Sequence, residues 1–130
     1  MAIRVVDVFA GPGGLNEGFA SFTSNGQFPF EIASSIEKGA TECDTLLLRS
    51  ALRIVERNDG ATPNAYVKSL RVGGYLKQLQ DDTKFAPALE IARAHVNEFT
   101  LDQSSREESD ALIRKAINGD DPWVLVGGPP

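Results

Sequence analysis

Three features of the 130-residue chain predict an α/β fold with a doubly wound parallel sheet. The β-branched run Val5-Val6-Asp7-Val8-Phe9 breaks into the glycine turn Ala10-Gly11-Pro12-Gly13-Gly14. Strand-like and helix-like stretches then alternate, and a second β-branched run, Val124-Leu125-Val126, breaks into Gly127-Gly128-Pro129-Pro130. Strands that alternate with helices pair in parallel through right-handed crossovers, and ligands of such sheets bind beyond the carboxyl ends of the strands.

Residues 3–9 read as a strand buried on both faces, because the apolar run does not alternate with polar residues. Residues 15–22 carry Leu15, Phe19, Ala20 and Phe22 at helical spacing, and Ser24-Asn25-Gly26 is the stop. Residues 30–36 form the second strand, ending at Glu37-Lys38-Gly39. Residues 41–55 place Leu46, Leu47, Ala51, Leu52 and Val55 on one side of a helix. Residues 58–86 begin with the loop-forming Asp59-Gly60-Ala61-Thr62-Pro63-Asn64 and are broken again at Gly73-Gly74, so they read as an insertion with one or two short helices. Residues 87–96 are helical by pattern, residues 98–101 a short third strand, and residues 106–117 a helix. Ser105 is its expected cap, with Glu107 and Glu108 in the first turn, where negative charge suits the helix dipole. Residues 123–126 are the fourth strand. The expected architecture is a Rossmann-like sheet limited to its first four strands, in one domain spanning residues 1–130.

Composition excludes several function classes. The single cysteine, Cys43, rules out an internal disulfide and a cysteine-rich zinc site, and with one histidine, His95, no metal centre is expected. The formal net charge of −5 argues against this segment gripping DNA by itself, since Lys and Arg on phosphates supply most non-specific affinity. No apolar run approaches the roughly 18 residues of a membrane span, and the amino terminus leads directly into a strand. A cytoplasmic location, with no membrane partner, is the expectation.

The first glycine turn lets backbone approach a ligand closely. A phosphate-binding P-loop requires Gly-Lys-Ser/Thr, whereas Gly14 is followed by Leu15-Asn16-Glu17. The dinucleotide fingerprint matches at Gly11 and Gly13 but meets Asn16 at its third glycine. A diphosphate would also face Asp7 and Glu17 with no Lys or Arg between Val5 and Glu37, while a sulfonium and an ammonium tolerate those carboxylates. Glu37 ends the second strand, where an acid commonly accepts from the ribose hydroxyls of an adenosine cofactor. Taken singly, the turn is equally compatible with a plain strand-to-helix connection, and Glu37 with a solvated charge.

The second turn is rare as a loop sequence, because consecutive prolines forfeit two amide donors and fix the backbone. Together, residues 7–14, Glu37 and residues 124–130 resemble the cofactor and active-site loops of the DNA (cytosine-5) methyltransferases. The resemblance implies S-adenosylmethionine as cofactor and methyl transfer to cytosine in DNA, in the setting of DNA methylation and restriction-modification. It implies that Phe9 packs on the adenine, that Ala10, Gly11, Gly13, Gly14 and Leu15 line the methionine part, and that Glu37 holds the ribose. Gly128 and Pro129 would border the methyl-transfer site, and Asp102 is the candidate for the acid near the adenine amino group. In the family the nucleophilic cysteine follows the second proline, so no catalytic residue is expected within residues 1–130. The chain would serve as the cofactor-binding portion, inactive alone. DNA would be held by a carboxyl-terminal part, either continuous with this segment as a fragment of the enzyme or supplied by a complementing chain, and self-association is the other expectation. Cys43 is no substitute nucleophile, since Glu42 and Asp44 flank it and would raise its pKa. His95 and Trp123 read as structural residues. The competing reading is a non-catalytic domain that binds an adenosyl or nucleotide ligand, or an interaction module.

Overall fold

The computed structural model describes residues 1–128. In chain order the elements are β1 (Ile3–Val8), α1 (Gly14–Ser21), β2 (Phe30–Glu37), α2 (Ala40–Asp59), α3 (Asn64–Val72), α4 (Tyr75–Leu79), α5 (Phe85–Arg93), β3 (Val96–Glu98), α6 (Arg106–Ile117) and β4 (Trp123–Gly127). The strands form one parallel sheet in the order β3-β2-β1-β4. Strand order therefore reverses between β1 and β4, the arrangement that opens a crevice at the carboxyl ends of an α/β sheet. The described residues are thus α/β with an all-parallel four-stranded sheet, compatible with a Rossmann-like fold.

The β-branched runs account for the central strands. Val5, Val6 and Ile36 have no exposed surface, as expected of strands covered on both faces. The parity of β1 assigns the two covers. Arg4 donates to the Ala116 carbonyl of α6 (2.9 Å), whereas Asp7 lies beside Ser35, whose hydroxyl accepts from Asn16 of α1 (2.7 Å). Adjacent strand residues point to opposite faces, so α6 covers one side of the sheet and α1 with α2 the other.

Several elements differ from expectation for identifiable reasons. Helix α2 runs on through the polar Glu56-Arg57-Asn58-Asp59 and stops only where Gly60 takes a left-handed conformation (φ 73°). Its arginines hold α1: Arg57 donates to the Ala20 carbonyl (2.5 Å) and lies 3.9 Å over the Phe28 ring, and Arg53 pairs with Glu17. Strand β3 lies at Val96–Glu98 and not at residues 98–101. Its three residues are set by pairing with Ser35, Ile36 and Glu37, a tertiary cause with no apolar pattern of its own. Ser105 occupies the position before α6, but its hydroxyl makes no helix cap; it donates to the Thr100 carbonyl (2.7 Å). Trp123 is 45% exposed and starts β4, so its structural place is the strand start and not the core. The segment read as an insertion supplies α3 and α4 and is partly built into the core. Leu79, with Phe85 at the start of α5, joins Leu48, Ala51, Val55, Ala88 and Leu89 in the main apolar cluster between α2 and α5.

Candidate functional site

The turn after β1 is held from three sides. The Ala10 amide donates to the Ile36 carbonyl (3.1 Å), which ties the end of β1 to β2 one step beyond the strand pairing. The Gly11 amide donates to Glu37 Oε2 (2.8 Å), and the Gly39 amide to Glu37 Oε1 (2.8 Å). One carboxylate therefore bridges the loop after β1 and the loop after β2. Gly13 fits against α2 so closely that an added Cβ would lie 2.7 Å from Leu46 Cδ2, and its φ of 93° is one that side chains resist.

Phe9 takes φ 54°, an unusual conformation for a bulky residue, and leaves 43% of its surface exposed at the carboxyl end of the sheet. Strained residues of this kind cluster at ligand sites. Phe9 is one wall of a crevice of about 560 Å³ bounded also by Gly11, Pro12, Glu37, Lys38, Glu42 and the segment Phe99-Thr100-Leu101. That volume is in the range of small-molecule sites. A larger cleft of about 1040 Å³ lies between α1, α2 and α3, lined by Arg49, Arg53, Arg57, Phe28 and Tyr66. It is away from the strand ends, and Arg53 and Arg57 are occupied in holding α1, so the crevice at the turn is the better candidate.

The charges around the crevice are ordered. The amide of Gly39 is the main cause holding the Glu37 carboxyl below its usual range; burial opposes it, and the amide of Gly11 adds to it. Glu37 is accordingly an anion, and Glu42 and Lys38 line the crevice with it. Glu17, one of the two acids weighed against a diphosphate, faces Arg53 instead. The other, Asp7, is fully buried on β1, and neither of its carboxylate oxygens has a hydrogen-bond partner. Burial, and then the charge of Glu37, push its carboxyl up to about 6. Asn16 is buried beside it with its own Oδ1 unpartnered.

The expected site residues are distributed unevenly. Phe9, Gly11 and Glu37 meet in the crevice, with Ala10 buried behind them. Gly13 shapes the turn from the α2 side. Gly14 and Leu15 lie instead on the outer surface of α1, in a shallow apolar groove with Phe19, Phe22 and Phe30. Asp102 is exposed just past the crevice wall, and its carboxylate accepts from the Ser104 hydroxyl (2.7 Å) and the Ser105 amide (2.9 Å), a local turn ahead of α6. Gly128 follows β4, one strand over from the crevice, and Pro129 lies outside the described residues. Phe99, Thr100 and Leu101 are crevice residues that sequence reasoning did not single out. Cys43 is buried in α2, and burial, followed by the nearby charges of Glu98, Glu37, Asp44 and Glu42, pushes its thiol up to about 11. It is a packed thiol, not a nucleophile. Among the described residues no cluster of His, Cys, Asp and Glu could hold a metal ion, and no helix is long and apolar enough to cross a membrane. Comparison of the chain with protein-family models, curated proteins and solved structures found no match.

Proposed function

We propose that the chain binds S-adenosylmethionine as the cofactor-binding portion of a DNA cytosine-5 methyltransferase. The observation that carries the reading is the Gly11–Glu37–Gly39 bridge beside an exposed Phe9. It supplies one anionic side chain and one aromatic face at the carboxyl ends of β1 and β2, where an adenosine ligand of an α/β sheet is bound. Each oxygen of Glu37 accepts one amide hydrogen and keeps a second lone pair for a ribose hydroxyl. Phe9 offers its ring to the adenine, with Leu101 and Phe99 across the crevice. The preponderance of carboxylates over cations around the turn favours a ligand with a sulfonium and an ammonium over a dinucleotide.

Under this reading the protein's residues bind and orient the methyl donor. The resemblance assigns the thiolate that attacks cytosine, and the DNA grip, to the part of the enzyme that follows the second proline of the Gly-Gly-Pro-Pro turn. Residues 1–130 on their own then transfer no methyl group. Calorimetric titration with S-adenosylmethionine, S-adenosylhomocysteine, NAD and ADP tests the cofactor assignment. Binding of the two adenosyl amino acids and not of NAD or ADP supports it. Equal or better binding of the phosphorylated nucleotides would move the chain to the nucleotide-binding class, and the absence of binding by any adenosyl ligand would overturn the reading.

A further inference from the structure

Among the described residues Asp7 is a buried carboxyl group with no part in the crevice lining. A carboxylate with no exposed surface and no donor on either oxygen is costly to keep ionised, and Asn16 Oδ1 next to it is a third acceptor without a donor. The pair is placed by the fold. Asp7 and Ser35 are register partners on β1 and β2, and Asn16 reaches Ser35 from α1, so the three share one buried layer beneath the glycine turn.

The charges that face this layer can be named element by element. From β2 comes Glu37, an anion held by two backbone amides. From α1 comes Glu17, neutralised by Arg53 of α2, and α2 also contributes the Arg49 guanidinium, which lines one small cavity with Asn16 and Ser35, and the Cys43 thiol. The segment between α5 and β3 brings His95, whose carbonyl accepts from the Ser35 amide (2.8 Å). Strand β4 brings no charge. Asp7 thus answers chiefly to the field at the carboxyl end of β1, where Glu37 disfavours its ionisation and a ligand cation would favour it.

We propose that Asp7 is the residue that lets this site distinguish the positively charged methyl donor from its uncharged-sulfur product, by ionising when a sulfonium sits at the glycine turn. The inference rests on the cofactor reading above. The proton leaves the carboxylic acid for solvent, and the negative charge this creates in the buried layer is offset by the sulfonium charge at the turn above it. No direct contact is needed, because the same Coulomb coupling already links Asp7 to Glu37. Linkage makes the effect reciprocal: ionised Asp7 strengthens sulfonium binding by the factor by which the sulfonium strengthens Asp7 ionisation.

The measurement is the ratio of dissociation constants for S-adenosylhomocysteine and S-adenosylmethionine across pH 5 to 7.5. The two ligands differ by the methyl group and its charge, so the adenosine contacts and Glu37 cancel from the ratio. For the wild-type chain the ratio should shift about three- to tenfold towards S-adenosylmethionine as pH rises through about 6. In Asp7→Asn it should be flat, and in a His95→Gln control it should keep its slope. Calorimetry at pH 5.5 in buffers of different ionisation enthalpy should show proton release with S-adenosylmethionine in excess of that with S-adenosylhomocysteine. A flat wild-type ratio with both ligands bound would overturn the role of Asp7 and leave the cofactor reading standing. Loss of the slope in His95→Gln would transfer the linkage to that residue and equally overturn it. Binding of neither ligand would remove the cofactor reading and this inference with it.

Discussion

The turn after β1 and the strand β4 are neighbours along the same sheet, yet they are built to different standards. The first has its amides committed to Ile36 and Glu37, its Gly13 seated on Leu46 and fully buried Val5, Val6 and Asp7 leading into it. The second pairs with β1 alone, carries Trp123 and Leu125 about half exposed, and contains no fully buried residue. Precision is concentrated where a small ligand would have to be held. The other flank presents an apolar strand edge of the kind that invites another strand.

Changes at and beneath the turn should therefore have large effects, of either sign, and changes on β4 small ones, in the following order. Asp7→Asn is expected to have the largest effect, and it is stabilising. A folded-state value of about 6 against the usual 3.8 means that the folded protein binds this proton more tightly, so stability is lost as pH rises between about 4 and 6. Above that window the deficit is up to about 3 kcal/mol. Asp7→Asn should gain up to that amount at pH 7.5 and match the wild type near pH 4, as read by urea melts at the two pH values. Equal gains at both would mean that packing, not charge, is responsible.

Glu37→Ala comes next and has the opposite sign. It removes two charge-assisted bonds that join the loops after β1 and β2, so it should destabilise the fold by about 1–2 kcal/mol. Affinity for S-adenosylhomocysteine should also fall, by about tenfold or more. The alternative weighed for Glu37 taken singly, a merely solvated charge, does not fit its bonds to the Gly11 and Gly39 amides. The lowered carboxyl of Glu37 adds stability that is present above the ordinary glutamate range and is lost as pH falls through its folded value. Acid melts of wild type and variant should converge at low pH. Gly13→Ala follows at about 1–2 kcal/mol, from the left-handed backbone and the contact with Leu46, and a drop in melting temperature reports it. Leu125→Lys on β4 should change stability by less than about 0.5 kcal/mol while reducing concentration-dependent self-association in sedimentation experiments. A large loss of stability there would show that the contrast between the two flanks is false.

The parts of this fold that could be read in advance are those whose causes are local. The runs 5–8 and 124–126 are β-branched and could not be much else, and α6 begins and ends within its expected bounds because Asn118-Gly119-Asp120-Asp121-Pro122 leaves no continuation. What escaped was set at a distance. Val96-Asn97-Glu98 is a strand only because β2 pairs with it, and with that register comes the crevice wall Phe99-Thr100-Leu101, which no motif announces. Asp102, one residue past the crevice wall, turns its carboxylate onto Ser104 and Ser105 instead. Asp7 did leave a signal: a single acid inside an apolar strand covered on both faces is either paired or perturbed. Its lack of any partner is a property of the assembled layer.

The arginines of α2 have a kinetic consequence. Helix α1 is pinned at its beginning by Gly13 against Leu46 and at its end by Arg57 on the Ala20 carbonyl and the Phe28 ring. A helix secured at both termini cannot pivot to admit a ligand, so the glycine turn it carries stands ready before any encounter. Association at this turn should then proceed as a single concentration-dependent phase, with no slower plateau from a rearrangement, and affinity differences among ligands should be expressed in how fast they leave.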